Sequence, residues 1–445
     1  MKLRVWSPLP QSASGIADYV AEQLPLLAKR VELTLVVEAP EAVDPAIRRS
    51  FSVISAGDVA GDALDLYHLG NSPAHGYIYR RAIREPGVAF LHEFNLHDLV
   101  LSETVGRGDR SAYLREMRRA YGESGSFLGG QIARALGAAT WSARFPLSEH
   151  IVRRSLAAVG LTQYVVERVR AVIPEGRPLL RLPHHVALPI DPPPSRAEAR
   201  QELGLSETAF LIVAPGLATV SKQLDVAIRA IRRLRERSDV QLIVAGTVDP
   251  LLPLASWVRD ANLQEGVRVT GRLSLEDFER HLAAADVVLA LRHPHRGEIS
   301  GALVRSLGVG RVALVSAGSP AADEFPEGLV VPVDPGAGEE DQLVAIVERL
   351  AADPALKETI ERLVREHARA HHQTAATIVS LVEFLELVAV GAPAARQAIT
   401  RARAPEGSLR EYLQDEVLFG AYDLGLAGID LGVDALVDDL TEGRR

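Results

Sequence analysis

The sequence predicts an α/β chain of two doubly wound domains followed by a helical extension. Three observations predict it. Strand-like and helix-like runs alternate over most of the length, a proline-rich segment divides that alternation, and each half has a glycine-bearing turn after its first strand. Length agrees, since 445 residues correspond to two or three domains of about 100–200 residues. Apolar residues make up 47% and charged residues 24%, an ordinary globular balance that excludes a disordered or collagen-like chain. Lys plus Arg number 49 against 58 acids, a net charge of −9, so the chain has no global attraction to nucleic acid or anionic membrane. Any phosphate it takes must be held by a local site.

Cysteine is absent, which excludes disulfides, thiolate catalysis and thiolate metal sites and fits a cytoplasmic location. The first ten residues are charged and broken by two prolines, unlike a signal peptide. The most apolar late run, Ile378–Val390, is short and carries Glu383 and Glu386, so no transmembrane segment is expected.

The first domain, residues 1–190, reads as strand Leu3–Ser7, helix Ile16–Lys29, and strands Leu33–Val37, Leu64–Leu69 and Val88–His92. Residues 98–149 read as helices and loops, with Gly122–Gly130 as a flexible piece. Ala157–Leu161 and Leu180–Leu182 close the half. Leu188–Ser195 holds three consecutive prolines, which continue neither a helix nor a central strand, so it reads as a linker.

The second domain, 191–373, restarts the alternation with strand Phe210–Ala214, helix Lys222–Arg235 and strand Val240–Ala245. Strands Val267–Thr270, Val287–Leu291, Val312–Val315 and Leu329–Val333 follow, with helices Ser274–Ala284, Gly301–Gly310 and Glu339–Ala352. Residues 374–391 form a crossing helix, Gly391 and Pro393 then interrupt the chain, and 392–445 form the extension, in which Ala392–Arg403 and Ser408–Gly420 read as helices. Ligands of such sheets sit at the carboxyl ends of the strands, and two such domains facing each other leave a cleft.

The chemistry-bearing residues fall where strands end. Ser14 and Gly15 open the first helix, where backbone amides favour an anion, although a plain structural turn has the same pattern. Gly70 and Asn71 follow a strand in a tight turn, with His75 close behind. His92 and Glu93 lie where the next strand leaves the sheet. With His97 they have a metal-like spacing, but no further ligand is apparent and His97 reads as structural. In the second half Gly216 ends a strand, and Ser221-Lys222 opens the next helix with a point charge and free amides, without a Walker ending. The densest segment runs from Arg292 to Gly310. Gly297, Glu298, Ile299, Ser300 and Gly301 form a polar loop leading into a helix start, with Arg292 and Arg296 beside it. There a carboxylate suits sugar hydroxyls and amides suit phosphate.

Together these residues resemble the retaining glycosyltransferases of the GT-B fold, family 4 type, over roughly Leu3 to Leu387. Ser14-Gly-Ile-Ala-Asp-Tyr19, His68-Leu-Gly-Asn71, Leu91-His-Glu93, Gly216 with Ser221-Lys222, and above all Arg292 through Gly310 carry the resemblance. It implies a hexosyltransferase-type enzyme with a nucleoside-diphosphate sugar as co-substrate, an unidentified acceptor, no other cofactor and no metal. It implies that Glu298 contacts donor-sugar hydroxyls, Lys222 neutralises the diphosphate, His92 lies near the transferred sugar and Gly15 approaches phosphates and acceptor. Two positions depart from the pattern. The family's second acid is Ser306 here, and the arginine common after the first glycine of the second domain is Leu217. The loss of the second acid motivates an alternative, a non-catalytic subunit that binds sugar nucleotide or another protein. A sugar-nucleotide epimerase of related architecture is a third reading. Turnover that releases nucleoside diphosphate in proportion to acceptor excludes both.

In the tail, Asp430, Asp434 and Asp438 share one helical face and read as a solvated acidic surface. Leu409, Tyr412, Leu413, Val417, Leu418, Phe419 and Tyr422 recur at near-helical spacing. An isolated short helix is marginal in water, so this stripe buries against a second copy of the chain, giving a homo-oligomer, or against its own first domain. Mass in solution before and after deletion of Ala404–Arg445 decides. A dimer that becomes a monomer places the stripe on a second copy, and a full-length monomer at micromolar concentration places it on its own chain.

Overall fold

The computed structural model describes residues 1–401, apart from 13, 137–140 and 188–194, together with Gly432. Seven strands make the first sheet: β1 (Lys2–Trp6), β2 (Glu32–Val37), β3 (Ser52–Ser55), β4 (Leu64–Leu69), β5 (Val88–Leu91), β6 (Ala157–Gly160) and β7 (Leu179–Arg181). Six make the second: β8 (Phe210–Pro215), β9 (Val240–Ala245), β10 (Val267–Val269), β11 (Val287–Leu289), β12 (Val312–Ser316) and β13 (Val331–Val333). All pairings between these strands are parallel. The orders are β3-β2-β1-β4-β5-β6-β7 and β10-β9-β8-β11-β12-β13. Each sheet therefore winds outward in two directions from one strand pair, β1/β4 in the first and β8/β11 in the second. The central strands are buried along their length and largely apolar, with Asp65 and His68 the buried polar exceptions on β4, as a parallel sheet covered on both faces requires.

The chain forms two compact units: Met1–Gly160 with Val165–Arg181 and Leu381–Arg445, and Leu161–Tyr164 with Leu182–Ser380. Leu161–Tyr164, which follows β6 directly, thus belongs to the second unit.

In each sheet a buried carboxylate ties together the strand pair from which the winding starts. Asp65 on β4 accepts from Arg4 Nε at 2.7 Å, from Arg4 Nη2 at 2.9 Å and from the Trp6 indole at 2.8 Å, joining β4 to β1. Asp286, one residue before β11, accepts from the Leu211 amide of β8 at 2.8 Å and from Arg200 at 2.7 Å, and pairs with Arg196 and Lys357. Burial alone would push the Asp286 carboxyl up. Lys357, the Leu211 amide and Arg196 hold it below the usual carboxylate range.

Several expectations change. β3 was not anticipated; it is a four-residue edge strand, Ser-Val-Ile-Ser, with too short an apolar run to stand out. Gly122–Gly130, expected to be flexible, lies within the helical span Arg110–Ala133, which is broken only at Gly122 (φ 67°, ψ −156°). Gly125, Ser126, Gly129 and Gly130 are buried there, because small residues let the two helical arms pack closely. Lys222 does not open a long helix. It ends the 3₁₀ turn Val220–Lys222, and the α-helix begins at Leu224 after Gln223 in left-handed backbone.

Gly391 and Pro393 do not interrupt the chain either, since one helix runs Thr374–Arg401 with Pro393 inside it. Its stretch Thr374–Ile399 is long and apolar enough to cross a membrane by length and composition, a longer run than the Ile378–Val390 read from the sequence. Ile378, Leu381, Val382, Leu385, Val388 and Ala392 form its buried stripe, while Leu387 and Val390 are exposed, the pattern of an amphipathic core helix. Residues 188–194 of the expected linker, the helix Ser408–Gly420 and the acidic face at 430–438 lie outside the described residues.

Removing the Asp286 carboxylate leaves Arg200, Arg196 and Lys357 without their shared acid. The Asp286→Ala variant is expected to lose about 3–5 kcal/mol of stability, read in the urea transition of the second unit. A loss below about 1 kcal/mol would show that the cluster does not hold β11 to β8.

Candidate active site

In open parallel sheets the strand pair where the winding reverses leaves a crevice at its carboxyl end. The predicted site residues of each half gather at that edge of their own sheet.

In the second unit, β8 ends in Pro215 and the chain turns at Gly216 (φ 78°). The 3₁₀ turn then brings Lys222 back, so that its ammonium donates to the Pro215 carbonyl at the strand end. Lys222 is only 5% exposed, so it is not the surface lysine that a helix start would give. Among the described residues it forms no ion pair. Burial first, and the neighbouring Arg292 guanidinium second, push its pKa well below the ordinary lysine value. A buried amine beside a second cation is a site that an anion would stabilise.

The loop after β11 is laced to the loop after β8. The His293 amide donates to the Ser221 carbonyl at 2.8 Å, and the Gln223 side chain donates to the His293 carbonyl at 3.1 Å. Ser221 Oγ lies 3.1 Å from Thr219 Oγ1. The Arg292 amide donates to Ser316 Oγ at 2.9 Å, and the Arg292 guanidinium lies 3.5 Å from Glu298 Oε1. Glu298 Oε2 accepts from the Arg296 amide at 2.7 Å, which folds the carboxylate back over Gly297 (φ 89°). Ile299 is buried, and Ser300 caps the helix Gly301–Gly308 in extended backbone with no side-chain hydrogen bond to its first amides. The structure thus brings Gly216, Ser221, Lys222, Arg292, Gly297, Glu298, Ile299, Ser300 and Gly301 to one sheet edge.

Ser306, at the position of the family's second acid, is fully buried, and its hydroxyl donates to the Ala302 carbonyl at 2.6 Å. It is a helix-internal residue here.

In the first unit, Ser14 caps the helix Gly15–Leu27 and accepts from the Ile16 amide at 3.3 Å. Among the described residues, no heavy atom beyond its chain neighbours and its own helix backbone lies within 4 Å of where a Gly15 side chain would start. Gly70 follows β4, and a Cβ there would sit 2.3 Å from Ile16 Cδ1, so the turn and the helix start approach closely.

Asn71 stitches two loops together. Its amide donates to Glu93 Oε1 at 2.8 Å, its side-chain nitrogen lies 3.4 Å from Asn95 Oδ1 and 3.3 Å from Asp98 Oδ2, and its Oδ1 accepts from the Leu99 amide at 3.0 Å. His92 is 7% exposed, with Nε2 3.0 Å from His68 Nδ1 and the Tyr19 ring edge-on at 5.0 Å. His75 donates from Nδ1 to the His68 carbonyl at 2.9 Å, and burial pushes its pKa down to about 4. His97 donates to the Phe145 carbonyl at 2.6 Å and accepts from the Tyr113 hydroxyl at 2.9 Å. His92, Glu93 and His97 therefore each engage a different partner, and among the described residues no group of three or more His, Asp or Glu is arranged to hold a metal.

Sequence reasoning missed two neighbours of the second-unit loop. His184 Nε2 lies 3.4 Å from where a Gly301 Cβ would be, and burial, with His185 beside it, pushes the His184 pKa down to about 3. Tyr164 lies under Gly297. The pair His184-His185 after β7 was a visible signal, whereas Tyr164 sits in an unremarkable helical run.

Residues 209–353 match the family profile described as Glycosyl transferases group 1. Among solved structures, HepE of Anabaena in complex with UDP and glucose aligns with a TM-score of 0.59 at 14% identity, covering 87% of this chain and 100% of that one. Sucrose-phosphate synthase from Thermosynechococcus elongatus aligns with a TM-score of 0.60 at 14% identity, covering 88% and 100%. A glycosyltransferase from Rickettsia africae aligns with a TM-score of 0.55 at 10% identity, covering 87% and 98%. At these identities the likeness carries the fold, which is GT-B. No curated protein sequence matches the chain.

Proposed function

We infer that this chain, a GT-B protein with a group 1 glycosyl transferase domain, moves a sugar from a nucleoside-diphosphate sugar to an acceptor with retention of anomeric configuration. The observation that carries the reading is the buried Lys222 ammonium beside Arg292, on the same sheet edge as the open helix start at Ser300-Gly301. Two of the structurally similar proteins support it further, one bound to UDP and glucose and the other a sucrose-phosphate synthase.

The chemistry follows from charge. As the bond between the sugar carbon and the phosphate oxygen breaks, the electron pair leaves with the diphosphate. Lys222, Arg292 and the first amides of the helix stabilise that charge. Glu298 accepts hydroxyls of the transferred sugar. The acceptor oxygen bonds the sugar carbon on the face the diphosphate leaves, and its proton passes to a phosphate oxygen. No protein nucleophile and no metal enter this scheme. The family resemblance assigns His92 to the sugar and the first unit to the acceptor. In the family the second acid usually contacts the ribose; with Ser306 turned into its helix, that contact falls to another residue. Incubation with a panel of sugar nucleotides tests the reading. Release of nucleoside diphosphate in proportion to acceptor, with the product anomer matching the donor by proton NMR, is expected. An inverted anomer, or binding without turnover, would overturn it.

Lys222→Met keeps the buried volume and removes the charge. It is expected to fold normally and to lose roughly 100-fold in turnover, in line with about 3 kcal/mol for a charge-stabilising donor. Wild-type rates in the folded variant would take Lys222 out of the site.

A bound diphosphate pulls the lowered Lys222 pKa back up, so binding takes up a proton once pH exceeds the pKa of the free protein. Affinity for nucleoside diphosphate therefore falls as pH rises through that value. Calorimetry in buffers of different ionisation enthalpy reads the proton uptake directly, and pH-independent binding would contradict it.

EDTA is expected to leave turnover within about twofold of its starting value, since cations and amides take the role of a metal. Full loss restored by magnesium or manganese would show that a metal is required.

A further inference from the structure

We propose that Tyr164 is a positioning residue for Glu298, and that the segment Leu161–Tyr164 is the platform on which the loop bearing that acid rests. This rests on the reading of Glu298 as the acid that holds the transferred sugar.

Gly297 stands between Glu298 and the Arg296 amide from which its carboxylate accepts. A Cβ at Gly297 would lie 2.4 Å from Tyr164 Cε1 and 3.0 Å from Cδ1, so the glycine lies directly on the tyrosine ring. Its φ of 89° is left-handed backbone, which favours glycine a second time. The edge of the same ring meets His295, with centroids 5.5 Å apart and planes at 86°. One ring therefore supports both ends of the bend that turns Glu298 back onto the Arg296 amide at 2.7 Å.

The platform is itself fixed within the second unit. Leu161 is 1% exposed and Thr162 is fully buried, and the Gln163 amide donates to Glu324 Oε2 at 2.9 Å, on the short helix Pro320–Glu324 that follows β12. No such support is needed by Lys222, which is held at the Pro215 carbonyl, or by the amides of the helix Gly301–Gly308. Loss of the ring should therefore loosen the grip on the sugar and leave the grip on the diphosphate intact.

The test has two parts that fail separately. Hydrogen exchange of the unliganded protein reads the amides of residues 292–299 in wild type, Tyr164→Ala, Tyr164→Leu and Tyr164→Phe. Exchange at least tenfold faster in the Ala and Leu variants, with wild-type protection restored by Phe, is expected; the Leu variant keeps apolar bulk should Ala fail to fold. Unchanged protection in the Leu variant would overturn the platform, whether or not the protein transfers sugar. In the second part, kcat/KM for UDP-glucose and the Kd for UDP are measured on the same variants. A loss of tenfold or more in kcat/KM, with Kd for UDP within twofold of wild type and rescue by Phe, is expected. Equal losses in both would overturn the positioning role, since the ring would then serve the whole unit. A wild type that turns over no sugar nucleotide from a full donor panel would instead defeat the underlying reading of Glu298, and the exchange result would still stand or fall alone.

Discussion

A buried ammonium with no carboxylate paired to it among the described residues is the constraint on which the candidate site depends. Desolvating a cation is costly, and a protein usually answers with a paired acid or by shedding the proton. Lys222 has a strand-end carbonyl as its acceptor and a guanidinium as its electrostatic neighbour, which leaves the charge poorly compensated. That arrangement is stable only because the turn after β8 is held from both sides, by the strand and by the loop after β11. It favours an anionic ligand that completes the charge balance.

The sheet supplies the placement. A parallel sheet that reverses its winding opens its loops apart at one edge, and here both reversals are pinned by buried acids, Asp65 between β1 and β4 and Asp286 between β8 and β11. These acids are engaged by hydrogen bonds and ion pairs within the fold. Their role is to fix the strand pairs whose carboxyl ends present the loops. Paired charges thus lie near the starts of the central strands and an under-compensated charge at the end of β8.

Much of this was legible in the sequence. The β-branched runs marked twelve strand positions within a residue or two, because central parallel strands are continuously apolar. β3 escaped since an edge strand of four residues offers no such run. The Arg292–Gly310 segment was readable because its chemistry is contiguous. What could not be read was depth. Lys222 looks like a surface lysine in one dimension, and only the return of the turn onto Pro215 buries it. Tyr164 lies 133 positions from Gly297 along the chain, and nothing local to it predicts that contact. Pro393 misled in the opposite direction, since a helix with one apolar stripe tolerates the loss of a single backbone donor.

The proposal at the centre is that Lys222 neutralises the diphosphate of a nucleotide. Calorimetric Kd values for a nucleoside diphosphate and the matching monophosphate, in wild type and Lys222→Met, test it most directly. The account predicts that the diphosphate binds wild type at least 30-fold tighter than the monophosphate, roughly 2 kcal/mol for a charge-assisted contact, and that the variant nearly abolishes the difference. A variant that keeps the full preference would contradict it.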